Sequence, residues 1–409
     1  MTGTLAIFSY AVAIRKSGQF LTNDRFGLLV DGLSAELPQV IYVCAEVTPL
    51  DQHFTKGGQA LYTYEIKSLN VKFATTDTTA RLALLPKILK TLLNIGIYRS
   101  VVRSCDYAYI FMPGVSGFMA ALLCLLYRKP YFLYFGSDWY ETASFRADWS
   151  GAGRILFNLY RSSIGLAERI TVSNARFVLV TGKSYLQRLG RYNKRVSETV
   201  PMVTVSRRDV RVKENFFSDG KVRLLFVGPV TERKGVIFLV RALALLKEHG
   251  VEPAQVSLQL VGSLDDKYYA SIEETAAKLG VTKLVQYEGY VTDKERMLEY
   301  YHQADIFVLP SLGEGFPRVL YEAFSQGVPV VVSRIATVSD TLEDAECVSY
   351  AEPGSPDSIA AAVARVVLDP DFRDAIIARG QEFALGRLDG DPVRQVLDLM
   401  RTHVPETGQ

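Results

Sequence analysis

Cysteine, histidine and tryptophan are scarce in this chain: 4, 4 and 2 among 409 residues. Cys44, Cys105, Cys124 and Cys347 show no paired or metal-like spacing, which excludes a disulfide-stapled scaffold and a cysteine zinc site. Each sits in an apolar context, so buried free thiols in a reducing compartment are expected. His53, His249, His302 and His403 lie in polar settings without ligand spacing, and ordinary surface histidines are expected, with no metal site. Long apolar runs are also missing. None approaches the roughly 20 residues of a spanning helix, and the longest, Phe118 to Tyr127, is read as a core helix. No signal peptide is read at the start, because Leu5 to Ser9 has the character of a first strand. There is no internal repeat and no low-complexity segment.

Net charge is small, +2, but unevenly spread. Residues 1–200 hold 23 Lys and Arg against 13 Asp and Glu, a balance of +10; the remainder holds 23 against 31, or −8. That split suggests an anionic surface or ligand facing the first half, such as a membrane surface or lipid phosphate. The basic residues are scattered and carry no recognised nucleic-acid motif, so no nucleic acid is expected.

What is present is apolar bulk, 48% of residues, in a chain too long for one ordinary core. Strand-like runs alternate with helix-length segments in both halves, the pattern of parallel α/β sheets. In the first half the strands are read near Leu5–Ser9, Val40–Cys44, Tyr107–Met112, Tyr131–Phe135 and Arg169–Val172, with Phe177–Thr181 as a further strand or loop-strand unit. The stretch Pro201–Lys221 is polar and reads as a linker. A second α/β series opens at Arg223–Val227. Asp391 to His403 reads as an amphipathic helix.

The most informative stretch is Pro310-Ser311-Leu312-Gly313-Glu314-Gly315-Phe316-Pro317, running on to Glu322-Ala323. It follows the apolar run Ile306–Leu309, a buried strand, and precedes a helix-like segment that stops at Gly327 before a second strand, Val328–Val332. Both acids therefore sit at a strand-to-helix junction, Glu314 in the loop and Glu322 in the helix, where ligands bind in such sheets. Pro317 suits the first helical turn.

The Glu-x7-Glu spacing in this stretch resembles the signature of retaining GT-B glycosyltransferases, closest to glycosyltransferase family 4. Val227-Gly228 with Arg233-Lys234-Gly235 resembles that family's phosphate-binding loop. Leu260-Val261-Gly262, Tyr287 to Val291 and Gly327 to Val331 resemble its following strands, so that the resemblance covers roughly residues 222–360, in order. It implies an α/β fold of GT-B type: two Rossmann-like domains facing a central cleft, with a C-terminal helix crossing back to the first domain. The expected boundaries are 1–203 for an acceptor-side domain, 204–390 for a nucleotide-sugar-binding domain and 391–409 for the returning helix.

The resemblance further implies sugar transfer from a nucleotide diphosphate sugar with retention at the anomeric carbon, and no cofactor or metal. Lys234 would neutralise the diphosphate as charge grows on the leaving group. Gly228, Arg233, Gly262, Gly315, Phe316 and Pro317 would help bind the donor, with the helix opening at Phe316–Pro317 as an anion site. Glu322 would hold the ribose hydroxyls and Glu314 the donor sugar near the reacting carbon. In the family the donor's own phosphate is thought to take the acceptor's proton, so no protein nucleophile is assigned. One departure stands out. An arginine usually follows the first glycine of the loop, and Pro229 is there instead. Arg233 is a substitute in type, though adjacent side chains rarely point the same way.

Other motif readings fail. A dinucleotide fingerprint would need glycine where Arg318 stands. Val180-Thr181-Gly182-Lys183-Ser184 mimics a P-loop tail, but Phe177 replaces its first glycine. Asp389-Gly390-Asp391 is read as a turn. On the acceptor side, Arg15 lies in the expected loop Tyr10–Asn23, while Gly136 and Asp138 follow a strand where many relatives carry a His-Gly or His-Asp pair. Residues 81–103 place leucines among Lys87, Lys90, Arg99 and Arg103, either as a membrane-surface helix or as one packed on its own sheet. The functional expectation is a cytoplasmic glycosyltransferase, peripheral on the inner membrane face if the surface reading holds, acting on a glycan or lipid-linked acceptor. A non-catalytic partner subunit and a different GT-B enzyme, a phosphorylase or epimerase, are the alternatives.

Overall fold

The computed structural model describes residues 2–16, 19–47, 55–56, 59–60, 64–77, 84–136, 152–213, 215–217 and 219–404. The chain divides into two compact units. One holds Met1–Thr55, Ala60–Val200 and Asp391–Gln409; the other holds Lys56–Gln59 and Pro201–Gly390. No helix among the described residues is long and apolar enough to cross a membrane.

The second unit carries a six-stranded parallel sheet. In spatial order its strands are Val285–Gly289, Val256–Val261, Val222–Val227, Ile306–Leu309, Val330–Ser333 and Ser349–Ala351. Numbered along the chain this is 3-2-1-4-5-6, the doubly wound order, in which the chain reverses direction between strands 1 and 4. The central strands are continuous apolar runs because helices cover both faces. Leu224, Leu225, Phe226, Ile306, Phe307 and Val308 are all essentially inaccessible.

The first unit repeats the arrangement. Its parallel strands run Val71–Asp77, Gln39–Val47, Thr4–Lys16, Tyr107–Met112, Tyr131–Phe135, Val178–Val180 and Val196–Glu198. Again the reversal falls beside the first strand, where Leu5–Phe8 pair with Tyr107–Ile110. Stacked rings fill its centre, among them Phe132 on Phe177 at 4.6 Å and 16°.

The α/β class is therefore the one expected, and two local readings are corrected. Arg169–Val172 is not a strand but the end of the helix Ala152–Asn174. Burial at Ile164, Glu168, Thr171, Val172 and Ala175 follows the helical period, which overrides the β-branched composition. The first strand does not stop at Ser9. It continues to Lys16 past a register shift between Phe8 and Val12, because Ala11–Ile14 is apolar and buried. It then pairs antiparallel with Gln19–Thr22. Among the strands that escaped the sequence reading are Val71–Asp77 and Val196–Glu198. Both lie at sheet edges, are only half-buried or exposed, and lack an apolar run.

The last helix, Pro392–His403, is capped by Asp391 and buries Val396, Leu397 and Met400. It belongs to the first unit. Gln395 accepts from the Val200 amide and donates to the Glu198 carbonyl, and Arg401 lies 3.7 Å from Glu36. Asp389 pairs instead with Arg207 in the second unit. The Asp-Gly-Asp turn is thus the chain's passage from one unit to the other.

Candidate active site

The site grows out of the reversal point of the second sheet. Strand Val222–Val227 ends in Gly228, at φ 148°. Its neighbour Val256–Val261 ends in Gly262, at φ 142°. A Cβ on Gly262 would lie 2.1 Å from the Gly228 carbonyl oxygen, so the two strand ends approach as only glycine allows. The chain then makes the short turn Glu232–Lys234, closed by Gly235 in the left-handed region at φ 66°. A Cβ there would meet the Pro310 carbonyl at 2.1 Å. This contact lays the turn against the exit of strand Ile306–Leu309, on the other side of the reversal, and the Leu312 amide donates to the Arg233 carbonyl at 2.9 Å.

Glu314 closes the arrangement. Its Oε1 accepts from Lys234 Nζ at 2.5 Å and from Ser311 Oγ at 2.7 Å. Its Oε2 accepts from Arg233 at 2.9 Å, and the same guanidinium donates to the Gly313 carbonyl. Thr337 Oγ1 donates to the Glu314 carbonyl at 3.0 Å and fixes the loop from behind. Lys234 and Glu314 are both buried, 7% exposed, whereas the Arg233 side chain is 37% exposed. Burial alone would raise the Glu314 carboxyl. The Lys234 and Arg233 charges, with hydrogen bonds from Lys234 and Ser311, outweigh it and hold the group below its ordinary 4.5.

The two cations converge, against the expectation that adjacent side chains diverge. A short 3-10 turn gives Arg233 and Lys234 a common target that a longer regular element would not. Among the described residues Glu314 is the sole hydrogen-bond partner of Lys234 Nζ, which leaves two N–H donors beside Gly228. Pro229 is exposed on the loop.

Glu322 lies in the helix Val319–Ser325, 6% exposed. Tyr301 Oη donates to its Oε2 at 2.9 Å and Thr204 Oγ1 to its Oε1 at 3.3 Å. The helix starts two residues later than expected, with the Pro317 carbonyl accepting from the Leu320 amide at 3.2 Å, and it is only seven residues long. The amide array expected at Phe316–Pro317 is therefore not a helix opening. Phe316 packs on Tyr321, ring centroids 5.5 Å apart, and Pro317 is buried. Gly315 stands between Glu314 and this aromatic contact.

In the first unit, Gly136 ends strand Tyr131–Phe135 and donates to the Met112 carbonyl at 3.2 Å. Asp138 lies outside the described residues. Arg15 is on a strand, not in a loop. It covers the Phe20 ring at 4.7 Å and pairs with Glu46 at 3.4 Å, so the hairpin engages it. The four cysteines are free and buried, and burial pushes the Cys44, Cys105 and Cys347 thiols up to about 12, which makes them unreactive. His249 pairs with Asp357 at 3.0 Å. His302 is not a plain surface histidine, since its Nδ1 is buried without a hydrogen-bond partner. His53 lies outside the described residues.

Sequence reasoning missed Ser311 and Thr337 as supports of Glu314, and Tyr301 and Thr204 as partners of Glu322. Ser311 stood inside the quoted motif, and a hydroxyl three residues before the acid was a local signal. Tyr301 and Thr204 are 21 and 118 residues away from Glu322, and nothing local marks them.

Two doubly wound α/β units define the fold class, which is that of GT-B glycosyltransferases. Sucrose-phosphate synthase from Thermosynechococcus elongatus has the same fold, with a TM-score of 0.69 at 17% identity over 98% of both chains. Anabaena HepE, solved in complex with UDP-glucose, gives 0.65 at 15% identity over 98% of this chain and 99% of that one. Residues 207–383 match the family described as glycosyl transferases group 1. An uncharacterized glycosyltransferase of Methanocaldococcus jannaschii is 34% identical over 160 residues, 39% of either chain. The lipopolysaccharide core biosynthesis glycosyltransferase LpsE of Rhizobium meliloti is 26% identical over 202 residues, 46% of this chain and 56% of that one. The chain spans between about two-fifths and three-fifths of the length of the first curated relatives it matches.

Glu314, with its pKa depressed below 4.5, adds stability that is present above that value and lost as pH falls through the depressed one. Glu314→Gln should lower stability at pH 7 by on the order of 2 kcal/mol. The gap from wild type should narrow between pH 5 and pH 3 in thermal melts. A gap independent of pH would show that the carboxylate is not held ionised by its two cations.

Proposed function

We propose that the chain is a retaining, metal-independent glycosyltransferase that moves a sugar from a nucleotide diphosphate sugar to a glycan or lipid-linked acceptor at the cytoplasmic membrane face, in cell-surface polysaccharide or glycolipid synthesis. The observation that carries this reading is the Lys234 ammonium, buried at the sheet reversal and, among the described residues, with two donors unmatched. A fixed cation in a low-dielectric site stabilises the charge that develops on a departing diphosphate. Arg233 supplies the second cation in place of the arginine that Pro229 displaces. Glu314 holds both cations in register, and its assigned role is to receive hydroxyls of the donor sugar.

A carboxylate held by two cations, with its pKa depressed, is a weak base and a weak nucleophile. That supports the donor's own phosphate oxygen as the acceptor of the proton from the incoming hydroxyl. The bond from the anomeric carbon to the diphosphate breaks as the bond to the acceptor oxygen forms on the same face. Glu322 suits the ribose. Its partners are hydroxyls, and among the described residues no cation pairs with it, so it has acceptor capacity left for hydroxyl donors. Gly228, Gly262 and Gly315 would let the donor approach the backbone closely. Arg15, Gly136 and Asp138 are retained as the acceptor-side residues. The LpsE and HepE likenesses support a nucleotide-sugar donor and a cell-surface acceptor.

Membrane contact is supported by the helices Leu84–Leu93 and Ile95–Ser104. Tyr98, Val101 and Val102 are buried, yet Leu89, Leu92, Leu93 and Ile95 are 65, 44, 81 and 42% exposed. They stand among Lys90, Arg99 and Arg103, the composition of an interfacial segment. Leu92→Ser with Leu93→Ser should weaken sedimentation with anionic vesicles several-fold; equal binding by the wild type to neutral vesicles, or no effect of the substitutions, would refute the contact.

The chemistry is tested by product. A purified protein given donor and membrane extract should form a new glycosidic bond with the donor's anomeric configuration. Lys234→Ala should lower kcat by more than about tenfold, while Glu322→Ala should chiefly raise the KM for donor. Phosphorolysis, a free altered sugar, or unchanged kinetics in both variants would contradict the assignment. Absence of any product would favour the partner-subunit alternative.

A further inference from the structure

The two acids of the motif are held in opposite ways, and the difference assigns a role to a residue outside the motif. Glu314 is fixed by charge. Glu322 is fixed by hydroxyls, one firmly and one loosely. Tyr301 comes from the helix Lys294–Gln303 and is wholly buried. Its ring lies 5.5 Å from that of Phe307, on the central strand Ile306–Leu309, at 46°. The sheet therefore sets the position of its hydroxyl, which donates to Glu322 Oε2 at 2.9 Å. Thr204 belongs to the polar stretch that opens the second unit, and its bond to Oε1 is 3.3 Å, at the weak end of the range.

A glutamate's terminal torsion is soft, so a carboxylate in a pocket turns freely unless something pins it. One firm donor on one oxygen pins it and sets the plane of its other lone pairs. About four acceptor positions exist on such a group, and two are taken. The backbone nearby is fixed as well. Arg318 donates to the Met202 carbonyl at 3.1 Å, Gln326 to the Asp209 carbonyl at 2.7 Å, and the Arg211 amide to the Ser325 carbonyl at 2.8 Å. Stretch 202–211 is thus laid along the helix that carries Glu322.

We propose that Tyr301 is a positioning residue for donor binding. Its hydroxyl holds the Glu322 carboxylate in the orientation that receives the two ribose hydroxyls of a nucleoside diphosphate, and Thr204 fills the second oxygen until the ribose replaces it. The inference rests on the reading of Glu322 as the ribose ligand. Tyr301 acts through Glu322 and touches no substrate.

The test is calorimetric titration of UDP, GDP and ADP, and of their 2′,3′-dideoxy forms, into wild type, Tyr301→Phe, Thr204→Val, Glu322→Gln and the Tyr301→Phe/Glu322→Gln double variant. The phenylalanine keeps the ring packing and removes only the hydroxyl. Wild type should prefer one ribose nucleotide over its dideoxy form. Tyr301→Phe should reduce that preference by roughly tenfold and leave the dideoxy affinity unchanged. The double variant should lose no more than Glu322→Gln alone. A merely structural tyrosine would weaken both nucleotides equally, and that result would overturn the proposal, as would an intact preference in Tyr301→Phe alongside a lost one in Glu322→Gln. A lowered preference in Thr204→Val alone would transfer the role to Thr204. If wild type binds none of the three, or binds ribose and dideoxy forms alike, the ribose reading itself fails and takes this inference with it.

Discussion

The Glu314 carboxylate bridging Lys234 and Arg233 is the interaction on which the rest of the second unit's site depends. It joins two loops that leave adjacent strands on opposite sides of the sheet's reversal point. Without it, two like charges on consecutive residues would face each other beside a buried loop. With it, the trio carries one net positive charge, with Lys234 and Glu314 buried and Arg233 partly exposed. A buried pair of this kind is costly to desolvate and gains little stability over a hydrophobic replacement. Its retention makes sense where a further anion is to be received, because the cations are then already oriented and need not reorganise.

The backbone prepares this point before any side chain acts. Gly262 against the Gly228 carbonyl and Gly235 against the Pro310 carbonyl bring three strand exits closer than a Cβ would permit. The strand order then does the rest, since only at the reversal do two neighbouring loops turn away from each other and leave a crevice. The first unit has the same strand order around Thr4–Lys16. There the equivalent position is occupied by a long strand and hairpin that engage Arg15 in a cation–π contact and an ion pair. Repetition of architecture has not meant repetition of site.

Much of the second unit was legible in the sequence because its signals are local. An apolar run, a glycine, a basic pair and an acid at fixed offsets follow from one strand-turn-helix geometry. The fold class followed from the alternation of such units. What escaped was non-local or marginal. Val71–Asp77 and Val196–Glu198 are edge strands whose side chains are not fully buried, so they carry no apolar run to notice. Arg169–Val172 reads as a strand by composition, and only the burial rhythm of the whole helix corrects it. The convergence of Arg233 and Lys234 depends on a 3-10 turn that no residue type announces. Tyr301 and Thr204 reach Glu322 from distant parts of the chain, and only the folded sheet brings them together.

The central claim is that the Lys234–Arg233–Glu314 cluster receives the diphosphate of a sugar donor. The most direct measurement is a thermal-shift panel of nucleotide diphosphate sugars on wild type and Lys234→Ala. The account predicts that at least one donor raises the melting temperature of the wild type, and that the rise disappears in the variant. A panel in which no donor shifts the wild type, or in which the shift survives in Lys234→Ala, would contradict it.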